Sequence, residues 1–171
     1  PGEIAIALLF ALDIYTSLYA VDLATAAVER ILALDAQYNL PVARVIGYII
    51  QGWIWVQQGK LTAGIAQMSA GINRFNVINH TMKQAHRLVW LIEAQMQATD
   101  WNAAHATLDE AFVMSDRSGQ RSADAELHRL RGEWLLQSAG GEPVSAVQAA
   151  AESAFQQALT IARTQEAKSF E

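Results

Sequence analysis

Gly59-Lys60-Leu61-Thr62-Ala63-Gly64 and Thr99-Asp100-Trp101-Asn102-Ala103-Ala104 stand 40 residues apart in the sequence. The same shift carries Met68, Gly71 and Ile72 onto Leu108, Ala111 and Phe112. In each stretch a turn leads to a small, a large and a small residue at spacings of four and three, which lie on one face of a helix. Repeats of this kind bury their core between neighbours rather than around one centre. Shifted back, Tyr48, Gly52, Trp55, Gly64, Met68 and Gly71 find counterparts in Leu8, Leu12, Tyr15, Ala24, Val28 and Ile31; shifted forward, Gly132 stands opposite Gly52. A fourth unit keeps Ala151, Phe155 and Ala158, seven residues late, and the excess falls at the loop signal Gly140-Gly141-Glu142-Pro143.

Punctuation sets the boundaries. Asn39-Leu40-Pro41 ends one helix and starts the next, Thr81 is a candidate N-cap, and Ser118-Gly119 closes the helix begun near Trp101. Eight helices are predicted, at about 3–18, 22–38, 42–58, 61–77, 82–97, 101–117, 122–138 and 144–166. They form the pairs 3–38, 42–77, 82–117 and 122–166 of an all-α solenoid. No flexible linker interrupts them, so residues 1–171 read as one domain.

Composition agrees. The 171 residues include 31 Ala, 17 Leu and 14 Gln, and Pro occurs only at positions 1, 41 and 143, so nothing from 42 to 142 carries the strongest helix breaker. Apolar types at 52 % exclude a disordered chain, while charged types at 17 % fall short of the usual ~25 %. Twelve basic against 17 acidic residues give a net charge of −5 without a basic run, which argues against nucleic acid as a partner. The most apolar run, residues 4–12, is too short to span a membrane. The absence of Cys excludes disulfides and fits a cytoplasmic location. Because the chain opens at Pro1 directly into helical sequence, a piece of a longer protein is expected.

The pattern Tyr48-x2-Gln51-Gly52-x2-Trp55 followed by Gly64-x3-Met68-x2-Gly71 resembles the tetratricopeptide repeat, and Ala104-x3-Leu108-x2-Ala111 is close to its consensus. Two departures stand out: Ile92 replaces the usual Gly, and the period is 40 rather than about 34. Segments 52–59, 64–68, 125–133 and 155–163 further resemble the C-terminal repeat region of bacterial multidomain regulators. Those proteins join a cyclase or winged-helix DNA-binding domain to an AAA-type ATPase and a tetratricopeptide tail. The resemblance implies a right-handed solenoid with a regulatory, partner- or effector-binding role. No G-x-x-x-x-G-K-[ST] loop occurs here, and no catalytic residue is carried over.

The chemistry-bearing residues favour plain roles. His80, His86, His105 and His128 lack metal-ligand spacing and read as surface or loop-end residues, with His105 half-buried beside Ala104; no metal or cofactor is called for. Ser69 and Ser115 have no aligned base. Glu126 and Glu133, seven apart with Arg129 between them, read as an ion-pair ladder rather than an acid–base pair. Asp13 has three readings: a buried partnered group, a ligand contact in a groove, or the wet edge of an apolar stripe.

By tetratricopeptide geometry the first helix of each pair lines a concave surface. Its binding row is then Ile49, Trp53 and Val56, followed by Val89, Glu93 and Met96, then Arg129, Glu133 and Leu136. Trp53 is either groove-exposed or core on this reading. The expected function is a non-catalytic scaffold that binds a protein partner or attached domains of its own polypeptide. The alternatives are an effector-sensing solenoid that binds a small molecule and controls an attached ATPase, cyclase or DNA-binding domain, and a self-association module giving a homo-oligomer.

Overall fold

Eight α-helices and one short 3-10 turn make up the computed structural model, which describes residues 2–77, 84–138 and 144–165 except the side chains of residues 76, 77 and 84. They are α1 (Gly2–Ser17), α2 (Val21–Tyr38), α3 (Pro41–Gln57), α4 (Leu61–Val77), α5 (Gln84–Gln97), α6 (Trp101–Ser118), α7 (Asp124–Ser138) and α8 (Val144–Thr164), with the 3-10 turn at Arg121–Ala123. Each predicted helix is present within about two residues of its expected ends. Thr81 and the Gly140–Pro143 loop lie outside the described residues. The chain divides into two compact units, Pro1–Thr81 and Met82–Glu171, with the boundary between the second and third expected pairs.

Both units are built from sequential antiparallel helix pairs. In the first, α1 packs on α2 and α3 on α4, while α3 also touches α1 and α2. In the second, α5 packs on α6 and α7 on α8, while α7 touches α5 and α6.

Helix entry and exit follow from local chemistry. Pro41 takes the first position of α3, where its missing N–H is no loss. The Asp100 carboxylate caps α6 by accepting a hydrogen bond from the Ala103 amide at 3.1 Å. The turns inside the pairs share one geometry. Tyr19, Gly59 and Thr99, spaced by 40, all adopt left-handed backbone with φ of 52°, 79° and 57°. The amides that follow them, Ala20, Lys60 and Asp100, reach back to the carbonyls of Tyr15, Trp55 and Gln95 at 2.8, 2.8 and 2.9 Å, closing the end of the first helix in a Schellman arrangement. The turns between pairs also agree: Asn39 and Gly119, 80 apart, have φ of 52° and 68° and donate to Asp35 and Ser115.

The α3–α4 crossing is a close one. A Cβ on Gly64 would stand 2.6 Å from the Gly52 carbonyl oxygen and 2.5 Å from Val56 Cγ2, and one on Gly52 would stand 2.8 Å from the Gly64 oxygen. Only a pair of glycines lets these backbones approach so far. Met68, Ile72 and Phe75 of α4 and Ile49, Ile50 and Trp53 of α3 are buried in the same unit. In the second unit Ala104, Leu108 and Ala111 of α6 and Leu88 and Ile92 of α5 are buried. Gly64, Gly71, Ala104 and Ala111, the small residues expected at helix crossings, are all buried.

Candidate functional site

The expected binding row divides by burial. In the first unit Ile49, Trp53 and Val56 are all buried, and Trp53, 2 % exposed, is core. Ile49 lies against Gly71 and Val56 against Gly64, so these two side chains fill the gaps left by the glycines of α4. Tyr19 covers the indole of Trp53 at 5.9 Å between ring centroids. In the second unit Val89 and Met96 are buried too. The expectation that these apolar residues offer a binding surface is thereby corrected, because close helix packing has already used their area. Leu136 is exposed, and Glu93, Arg129 and Glu133 are half-buried.

Those three charged residues form one cluster with Glu126. The Arg129 guanidinium donates from Nε to Glu126 Oε1 at 2.8 Å and from Nη2 to Glu93 Oε1 at 3.0 Å, and it also engages Glu126 through Nη2 and Glu133 through Nη1. The Glu126–Arg129–Glu133 ladder thus stands on α7 as the sequence suggests. What spacing along α7 could not disclose is Glu93, which joins from α5, 36 residues away, and ties the first helices of two successive pairs together.

Three carboxylates share one guanidinium, so the cluster carries excess negative charge. Burial, aided by the Glu126 carboxylate, pushes the Glu93 carboxyl up to about 6 against the opposing pull of Arg129. Burial works against the Arg129 charge, but Glu126 and Glu133 outweigh it and hold its pKa above the ordinary value. Such a partly open acidic patch suits a cationic side chain and offers no group aligned for nucleophilic attack.

The remaining candidates occupy plain positions. Ser115 is fully buried and donates to Asp124 Oδ1. His105, expected to be half-buried beside Ala104, is instead exposed, because its ring lies over Trp134 at 4.3 Å on the outside of α6, with Nδ1 3.8 Å from Asp109. His128 sits edge-on to Phe112 at 5.0 Å, and burial lowers its pKa. Asp13 is half-buried on α1, and its carbonyl accepts from Thr16 and Ser17; His80 lies outside the described residues. Among the described residues no three His, Asp or Glu side chains are grouped to hold a metal ion. Nor is any described helix long and apolar enough to cross a membrane.

Sequence reasoning also missed two polar pins. Asp35 accepts from Arg44 Nε at 2.6 Å, Arg44 Nη2 at 3.0 Å and the Leu40 amide at 2.8 Å, locking the α2–α3 turn. The Arg44 hydrogen bond holds the Asp35 carboxyl below its usual range. Ser115 and Asp124, each 80 residues further on, pin the α6–α7 turn in the same way, with Arg121 Nη1 3.3 Å from Asp124 Oδ2. Spacings of nine between polar residues are too common for sequence alone to single these out. Comparison with family models, curated proteins and solved structures finds no match for the chain.

Proposed function

We propose that the chain is a right-handed helical-hairpin array of the tetratricopeptide type, a protein-binding and regulatory module without catalysis of its own. The observation that carries this reading is the recurrence of one turn geometry at residues 19, 59 and 99, in register with the 40-residue sequence pattern. The same register relates the pins at 35 and 44 to those at 115 and 124. In addition, α1 meets α3 and α5 meets α7, the adjacency of first helices that an array of hairpins produces. Arrays of this kind work through the extended surfaces of their stacked helices rather than through a reacting group.

Within that reading the Glu93–Glu126–Glu133 cluster is the recognition surface of the second unit, and its ligand is a peptide bearing Lys or Arg. A positional peptide array incubated with the purified chain tests this. Basic peptides should be retained, more weakly at high salt, and Glu133→Gln should weaken retention roughly fivefold to tenfold, equivalent to about 1–1.4 kcal/mol. Retention of acidic or apolar peptides alone, unchanged in Glu133→Gln, would contradict the assignment.

A further inference from the structure

Seven of the large apolar side chains left exposed by the described residues fall between positions 4 and 23. Five of them belong to α1 or the residue just after it: Ile4, Ile6, Phe10, Ile14 and Leu18. Ala5, Leu12 and Thr16 turn the opposite face of α1 into the first unit. Ile6, Phe10, Ile14 and Leu18 recur every four residues and form one outward stripe, with Ile4 at its flank. With Phe10 63 % and Leu18 71 % exposed, none of the described residues covers this face.

We propose that this stripe is a homodimerisation surface, occupied by α1 of a second copy running antiparallel across a twofold axis at Phe10. Three observations favour a second copy over other occupants. First, the stripe is self-complementary. Phe10 lies near the middle of α1, so a twofold there sets Ile6 against Ile14 of the other copy, Phe10 against Phe10, and bulky Leu18 against Gly2, which has no side chain. Second, the area is sufficient. The five side chains present on the order of 550 Å2 of apolar surface, which clears the ~500 Å2 per partner that a specific interface needs, and Glu3, Ala7 and Ser17 lie among them on the same face. Third, the charges fit. Residues 1–29 contain no Lys or Arg, which disfavours an anionic lipid surface. The face carries two acids, Glu3 and, at its edge, the half-buried Asp13, and neither would meet its own counterpart: Glu3 would face Ser17 and Asp13 would face Ala7 of the other copy.

Light scattering during gel filtration of the whole chain, over a concentration series, tests the proposal. The chain should pass from monomer to dimer at micromolar concentration, and Phe10→Lys, which sets like charges on the axis, should raise the dissociation constant at least tenfold with unchanged helix content. Should Phe10→Lys fail to fold, Ile6→Ser probes the same stripe more gently. Because the chain has no cysteine, Phe10→Cys also gives a clean geometric readout: it should form an intermolecular disulfide under mild oxidation, whereas Val144→Cys on the equally exposed start of α8 should not. A chain that stays monomeric throughout overturns the proposal. So does a dimer indifferent to Phe10→Lys and cross-linked equally through position 144, or a monomer whose α1 stripe binds zwitterionic vesicles.

Discussion

Thr99 holds a left-handed backbone (φ 57°) that its counterpart Gly59 adopts without strain. A β-branched residue there costs about 1–2 kcal/mol, and its side chain is exposed, so little packing offsets the cost. Thr99→Gly should therefore stabilise the protein by about 1 kcal/mol and raise Tm by roughly 2–4 °C by calorimetry; an unchanged or lower Tm would show that Thr99 is not strained. A second expectation concerns pH. Because the folded Glu93 carboxyl titrates near 6, above its unfolded value, the folded state binds more protons than the unfolded state between those values. Acidification from pH 7 to 5 should then gain on the order of 1 kcal/mol through Glu93 after allowance for solvent screening, opposed in the same window by His128, whose folded pKa is lowered by burial, so the Glu93 contribution is read as the stability difference between the wild type and Glu93→Gln across that range. Asp35, whose folded pKa is lowered, acts in the opposite sense. Its stabilisation is present above the unfolded value and is lost as pH falls through the folded one, so Asp35→Asn should flatten only the most acidic limb of a urea-midpoint titration.

The α3–α4 hairpin concentrates its stability in a few contacts. Gly64→Ala would drive a methyl into the Gly52 carbonyl and Val56, where backbone and not only side chains must give way. Despite the gain of up to ~1 kcal/mol in helix propensity, a net loss of about 2–3 kcal/mol is expected in chemical denaturation; a neutral result would mean that the crossing is looser than described. Trp53→Ala should cost about 3–5 kcal/mol, as for other large-to-small changes of a buried aromatic, and a near-native Tm would return Trp53 to the surface. These positions show what a repeat pattern can disclose. Gly52, Gly64 and Gly71 announce themselves by spacing, because close crossings demand small residues in register. Whether Trp53 or a neighbour faces a partner does not follow from spacing, since a helix packed on several sides carries apolar residues almost all round. Glu93 and Arg129 meet only once two helices are placed side by side.

Across the whole molecule the legible part was the rhythm. Helix ends followed from Asn39-Leu40-Pro41, Gly59 and Ser118-Gly119, where glycine, proline or a left-handed asparagine leaves the chain little choice. The turn at Thr99 was legible only by register, because nothing in Ala98-Thr99-Asp100 signals a left-handed residue on its own. The division at residue 81 left no mark in composition. If the 40-residue rhythm is architectural, each period is an interchangeable unit whose contacts are with its neighbours. Deleting residues 60–99 joins Gly59 to Asp100 and sets Ala104 against Gly52 in place of Gly64, preserving both the turn and the small-residue crossing. Deleting residues 60–93, the usual ~34-residue period, breaks that register. Thermal unfolding of the two deletions followed by far-UV circular dichroism is the most direct test. The 40-residue deletion should remain helical and melt cooperatively while the shorter deletion does not; equal collapse of both, or equal survival, would contradict an array built on a 40-residue period.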